Sequence, residues 1–462
     1  MIRVFQIDPD QKAERERFIQ FHYDLYKNCP QWVPPFRNDI RMMLDRKKHP
    51  FYDHSDAAFF IVERDGKMVG RVSAMENKPF NQYHNTKKIQ FYLFDALNDL
   101  EAVKALFEEV YKWGRARGMD QVVGPKGFSG FDGYGVQVEG FEHRQMMTMM
   151  NYNYPYYAEL LEGAGFEKEV DFVSCYIPQS GFRLPEKAQE IARRVKERGT
   201  FEVKDFKNKR ELLQWGERIG RAYNQAFINN WEYYPISDRE VKFVVENVLT
   251  IADPKLIKVI LYKGEIVGFL FAFPDISAAL QRQGGRITPW GLVDFLLEMK
   301  RTKWVSLNGV GVLPQYHGRG GNAILYDEIQ KTITDYGFVH AEQTQMADSA
   351  EQVHQDMDTL GAKIDKVHRI FHRVPWLWKF HAIHHSAQVM DWLARSRMHV
   401  VEVIVLRGAT VIPMYILGFS EPALYAYLIF VYFLSAMVHS NVRLNFGPLE
   451  RFLVTPRFHH WH

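Results

Sequence analysis

The chain has only two cysteines among its 462 residues. Cys29 and Cys175 lie far apart, make no disulfide framework, and read as free thiols in a reducing compartment. Charge of one sign is also lacking: a formal net charge of +3 gives no support to a nucleic-acid partner. The N-terminus, Met1-Ile2-Arg3-Val4-Phe5, carries no long apolar stretch, so no signal peptide is expected. Long hydrophobic runs are scarce. Glu402 and Arg407 interrupt 400–419, and the unbroken run 423–438, at sixteen residues, falls short of the roughly twenty that span a bilayer unaided.

What is present begins with length, which admits two to four domains, each with its own core. From Met1 to about Pro178, strand and helix patterns alternate. Asp56 to Val62 and Met68 to Ala74 read as strands about an Asp65-Gly66-Lys67 turn. Lys88 to Phe94 reads as another strand, and Asp99 to Gly118 as a helix with Val103, Leu106, Phe107, Val110 and Trp113 on one face. A glycine- and aromatic-rich stretch, 124–155, holds a methionine cluster from Met146 to Met150, and a helix ended by glycine follows it. The grammar returns after Phe182: Leu256 to Tyr262 and Ile266 to Phe273 flank Lys263-Gly264-Glu265, so that Asp65 to Gly70 and Lys263 to Gly268 trace one repeat.

The most informative stretch is Ser306 to Ala323. An apolar strand ends at Pro314, a turn with Gly318, Gly320 and Gly321 follows, and a helix starts with Ile324, Leu325, Ile329 and Ile333. Unpaired amides and the positive end of a helix dipole suit phosphate there, with glycines letting backbone approach a ligand and Arg319 adding fixed charge. Gln315-x-x-Gly318-x-Gly320 resembles the acyl-CoA diphosphate loop, Q/R-x-x-G-x-G/A, of the GNAT superfamily of N-acyltransferases. The resemblance covers about 1–372. It implies an α/β (α+β) fold with two mixed-sheet domains in tandem, a degenerate one at 1–180 and one with the acyl-CoA loop at 181–366. In the first, the chain passes from Phe94 through Asp95 to Asp99 into helix with no glycine loop, which points to a substrate-shaping role.

The resemblance further implies acetyl-CoA or a longer acyl-CoA as donor, bound by Val310, Val312, Gln315, Gly318, Arg319, Gly320, Gly321 and Asn322. It places an oxyanion donor in the backbone around Val310 to Val312. An amine with a pKa near 10.4 is on the order of one part in a thousand unprotonated at neutral pH, so a base is required. Where many family members have a tyrosine acid, this chain has Met357 between Asp356 and Asp358. Glu342, His354 and His317 are the candidates for proton transfer, each with a bland alternative as an exposed side chain. An insert from Pro289 to Lys300 carries Trp290, Val293, Leu296, Leu297 and Met299 on a short helix. Such a helix covers its own core, lines a channel for an acyl chain, or rests on a membrane.

Ten of the eighteen histidines lie between His368 and His462. His368 and His372 are four apart, and His381, His384 and His385 follow the i, i+3, i+4 spacing that gathers imidazoles on one helix face. The stretches 368–386 and 439–462 resemble the fatty acid hydroxylase/sterol desaturase superfamily of membrane enzymes. That resemblance implies an α-helical, membrane-associated segment at 367–462, truncated at its C-terminus, with two iron ions held by His368, His372, His381, His384, His385, His439, His459 and His462. Residues 363–373 fit either family, as the last GNAT strand or as the first histidine box. The combined expectation is a GNAT-type N-acyltransferase using an acyl-thioester donor and an amine acceptor, a lipid amine being the one that the tail and the apolar insert suggest, at the cytoplasmic face of a membrane. The alternatives are a diiron lipid hydroxylase or desaturase with a GNAT-like appendage, and a non-catalytic acyl-CoA-binding module.

Overall fold

The structure is a computed structural model that describes residues 1–146, 150–179, 182–228, 230, 232–248, 251–347, 424, 425 and 427. Residues 1–361 form one compact unit and 362–462 another. In the first unit the chain runs β1 (Ile2–Ile7), α1 (Lys12–Leu25), α2 (Arg37–Leu44), β2 (Asp56–Arg64), β3 (Lys67–Glu76), α3 (Lys78–His84), β4 (Lys88–Ala96), α4 (Leu100–Arg115), β5 (Gln121–Val123) and α5 (Tyr157–Gly163). It continues with β6 (Phe172–Pro178), α6 (Glu186–Glu197), β7 (Glu202–Lys204), α7 (Lys209–Gln214), α8 (Gly216–Ala226), α9 (Asp238–Val248), β8 (Ile257–Tyr262) and β9 (Glu265–Pro274). Then come α10 (Ser277–Gln283), α11 (Pro289–Arg301), β10 (Trp304–Val312), α12 (Gly321–Asp335) and β11 (His340–Ala347).

Two mixed sheets result, in the orders β1-β2-β3-β4-β5 and β6-β11-β10-β9-β8-β7, as the tandem resemblance implies. Each repeats one hairpin. Asp65 and Gly66 take φ of 52° and 79°, Lys263 and Gly264 take 51° and 81°, and both pairs make the doubly left-handed turn that matches strand twist. β6 precedes residue 180 in sequence yet pairs antiparallel with β11, as in Glu342↔Tyr176, so a strand from the expected 1–180 domain is built into the second sheet. Met357 and its neighbouring aspartates, the stretch 363–373 and the tail's histidine boxes lie outside the described residues.

Each sheet is packed on both faces. In the first, β2 to β4 bury Val62, Val72 and Phe91 against Val103, Leu106 and Phe107 of α4. The opposite face packs Phe59 and Ile61 against Phe18 and Ile19 of α1. In the second, Leu270 and Val305 meet Ile324, Leu325 and Ile329 of α12, while Val259 and Phe269 meet Ile219 and Ala222 of α8. Between the first-half core and the cavity described below sits an ionic group. Arg71, 1% exposed, donates to Asp95 Oδ2 from Nε at 2.7 Å and to the Phe18 carbonyl at 2.9 Å. His22 Nδ1 lies 2.9 Å from the same carboxylate oxygen. Burial holds the His22 pKa below its ordinary value; for Asp95 burial opposes ionisation, but His22 and Arg71 outweigh it and its pKa is lowered.

Candidate functional site: a gap between two parallel strands

β10 and β11 pair in parallel from Trp304↔His340 to Leu307↔Gln343, and there the pairing stops although both strands continue. On its other side β10 keeps its partner, with Gly309↔Phe271 through Val312↔Gly268, after a register shift between Leu307 and Gly309. The extra residue, Asn308, turns the strand and sends its Nδ2 to Thr344 Oγ1 at 3.2 Å across the opening. Past that bridge, one edge of β10 faces a gap with no strand against it among the described residues.

The turn that follows delivers the helix to this gap. Gly320 is the N-cap of α12 in the left-handed region, and no side chain caps the helix. His317 Nε2 lies 2.7 Å from the Val312 carbonyl, which only accepts, so that nitrogen carries hydrogen and ties the turn to the strand end. Arg319 stacks its guanidinium 5.2 Å from the centre of the Tyr316 ring. Gln315, Gly318 and Arg319 are exposed and Val312 is buried, while Val310 packs against the core beneath α12.

The glycines divide in purpose. A Cβ on Gly318, at φ 72°, would meet nothing within 4 Å, so this backbone is open to a ligand. A Cβ on Gly320 would fall 2.7 Å from Val195 Cγ2, and one on Gly321 3.1 Å from Ile260 Cδ1. Those two glycines also admit close packing by the protein's own side chains, a reason for glycine that is separate from any ligand at their amides.

Gln343 and Glu342 mark the mouth of the gap from the β11 side. Gln343 is 9% exposed and its Oε1 has no hydrogen-bond partner among the described residues, a deficit of about 1–3 kcal/mol unless something donates to it. Glu342, one residue earlier, pairs with Ser306 and Tyr176 along the backbone. Burial and the nearby Asp275 push its carboxyl up to about 7, against the pull of His143 and Arg144. Asp275 itself accepts from the Ser277 amide at 2.9 Å and pairs with Arg144. Arg144 and His143 come from the glycine-rich 124–155 stretch, so the first half sets the charge around a second-half carboxylate. His354 lies outside the described residues.

A cavity of about 570 Å³ lies between the halves and reaches Asn308. Its wall is mostly apolar, with Phe271 and Phe273 of β9, Ile219 of α8 and Val245 of α9 on one side and Trp32 and Ile40 on the other. Three carboxylates interrupt it, Asp95 of the ionic group above among them. Burial, with a contribution from Asp132, pushes Asp39 up to about 6, and burial does the same to Asp132, whose Oδ2 accepts from the Ser129 amide at 2.8 Å. Asp39, Asp132 and the His22–Asp95–Arg71 group escape sequence reasoning because each is a common residue in an ordinary context, gathered only by tertiary folding.

In the first sheet β4 likewise runs on to Ala96 after its parallel pairing with β5 ends at Gln90↔Val123, but its end and the helix start that follows are already occupied. There the Tyr157 hydroxyl lies 3.0 Å from the Ala96 amide and the Tyr156 hydroxyl donates to the Ala96 carbonyl at 2.9 Å. The Asp99 side chain accepts from the Ala102 amide at 3.1 Å, capping α4 with a carboxylate where a phosphate would have to sit.

Residues 366–462 match the family model for fatty acid hydroxylase. Over 308 residues the chain is 26% identical to the bacterial ceramide synthase of Caulobacter vibrioides (strain NA1000 / CB15N), covering 66% of this chain and 79% of that protein. Over 95 residues it is 34% identical to the ornithine lipid hydroxylase OlsE of Rhizobium tropici, covering 21% of this chain and 29% of that one. Among solved structures, a tandem GNAT protein from the clavulanic acid biosynthesis pathway overlaps 78% of this chain and 94% of its own, with a TM-score of 0.42 and 8% identity.

The division among the glycines is testable. On the expectation that this turn holds an acyl-CoA diphosphate, Gly318→Asn, a residue that tolerates the left-handed region, leaves the melting temperature within a few degrees but weakens CoA binding about tenfold by calorimetry. Gly320→Val drives a side chain into Val195 and lowers unfolding free energy by about 1–3 kcal/mol in denaturant titration. Unchanged CoA affinity in Gly318→Asn would remove the turn from the binding site.

Proposed function

We propose that the chain is an acyl-thioester-dependent N-acyltransferase whose acceptor is a long-chain amine. The observation that carries this reading is the parting of β10 and β11 beside the uncapped start of α12. The amides from Gly318 to Asn322 receive the carrier's diphosphate, and Arg319 adds charge at its rim. The carrier's amide-bearing arm runs into the gap along β10, where Gln343 Oε1 accepts one of its N–H groups.

The reaction joins the acceptor nitrogen to the thioester carbon and breaks the carbon–sulfur bond. Glu342 takes the ammonium proton, leaving a lone pair for attack; of the two protons the nitrogen gives up in becoming an amide, one neutralises the departing thiolate and the other passes to solvent. A β10 backbone amide between Val310 and Val312 donates to the oxygen that gains charge. The apolar cavity takes the hydrocarbon chain of the acceptor, with Asp39 and Asp132 available to its polar head. Similarity to a protein named bacterial ceramide synthase supports a lipid acceptor, since a ceramide is the amide of a long-chain amino alcohol.

A base with a pKa of about 7 is half ionised there, and only its carboxylate form accepts a proton. The rate therefore falls about tenfold per pH unit below 7 in the wild type. Glu342→Gln lowers kcat/KM at least about 100-fold and abolishes this acid limb. A variant with wild-type rate and profile would refute the assignment of Glu342.

The family match at 366–462 favours a second role for the tail, as a metal-bearing segment. Eight imidazoles from His368 to His462 are a donor set that iron accepts, and iron would supply oxidative chemistry on lipid. Metal analysis of the purified full chain is expected to give two irons per chain, falling on substitution of His381 and His385 by alanine. Less than one iron per chain contradicts this role.

A further inference from the structure

The insert helix α11 turns its apolar side outward. Inward it buries Gly291 and Phe295, with Met299 partly covered, against Val33, Leu280 and Phe36, whose ring lies 5.4 Å from that of Phe295. Trp290 is 84% exposed, and Leu292, Val293, Leu296 and Leu297 are each about half exposed. At 100° per residue those five fall on one continuous arc. The expectation that such a helix covers its own core is thus met by its minor face, and the larger apolar face is open.

Three observations say what this face meets. Ile287, half exposed just before the helix, also lines the cavity, so the apolar arc runs into the cavity wall. The acidic residues of the helix are already neutralised: Asp294 pairs with Arg282 at 2.8 Å and with Arg301 at 3.3 Å, and Glu298 pairs with the same two arginines. Arg286 and Lys300, exposed at either end, have no ion pair among the described residues. The surface is apolar with a basic rim. With 13 residues, α11 is about 20 Å long, too short to cross a bilayer but suited to lying in its interface.

We propose that the Trp290–Leu297 face of α11 seats the protein on an anionic lipid bilayer, with Ile287 on the side where the cavity takes in its occupant. The second statement rests on the long-chain acceptor reading; the seating does not. The aromatic end of the arc sits among the headgroups, the leucines reach the acyl-chain boundary, and Arg286 and Lys300 meet lipid phosphates.

The test uses the full chain with vesicles of phosphatidylglycerol and phosphatidylethanolamine whose acyl chains are brominated or not. Subtracting the fluorescence of Trp290→Phe from that of the wild type isolates Trp290 from the other nine tryptophans. The proposal expects bromine to quench this difference signal at least about twofold, and Arg286→Glu/Lys300→Glu to reduce the quenching. Three results would overturn it. One is equal emission in both vesicles at a water-exposed wavelength. Another is a blue-shifted but unquenched signal, as when the chain's own tail or a second copy covers the helix. The third is quenching indifferent to charge reversal. The readout needs no turnover, so loss of acyl transfer leaves it intact and the two readings fail separately.

Discussion

The candidate site depends on the point where β10 and β11 stop sharing hydrogen bonds. A single inserted residue, Asn308, shifts the register of β10 against β9 just as its pairing with β11 ends. Backbone donors and acceptors left without a strand partner are costly unless water or a ligand meets them. Here the cost is placed where a ligand can remove it, next to a helix start that no side chain caps. The first sheet makes the contrast. There β4 also outruns its pairing with β5, but tyrosine hydroxyls occupy its end and Asp99 caps α4.

The two halves are interdependent through more than adjacency. β6 leaves the first half to complete the second sheet beside β11, which fixes the backbone that carries Glu342 and Gln343. The glycine-rich stretch contributes Arg144, which pairs with Asp275, and His143, which acts on Glu342. Other contacts cross the same boundary. Lys126 pairs with Glu232, and Gln281 donates to the Pro30 and Trp32 carbonyls at 2.8 Å. The first half therefore helps set the charge and the cavity of the second.

How much of this can be read from the chain follows from the range of the forces involved. Local signals are legible: the Asp65-Gly66 and Lys263-Gly264 turns, the apolar face of α4, and the strand–glycine turn–helix order from Trp304 to Asp335 all rest on neighbours a few residues away. The partner of β6 is not, because pairing across some 160 residues leaves no local mark. Glu342 could be named from its place on a strand, but its elevated pKa comes from burial beside Asp275. That Val195 and Ile260 leave little room for a Cβ at Gly320 and Gly321 is likewise invisible in the sequence. The outward apolar arc of α11 is visible as a pattern, whereas its exposure is a property of what fails to pack on it.

The central claim is that a thioester carrier occupies the gap and the turn together. Amide hydrogen exchange across the full chain, with and without a saturating long-chain acyl-CoA, addresses it directly. The account predicts slowed exchange confined chiefly to 309–312 and 318–323, with residues 97–102 of the first half unaffected. Exchange unchanged in both second-half segments, or slowed only at the start of α4, would contradict it.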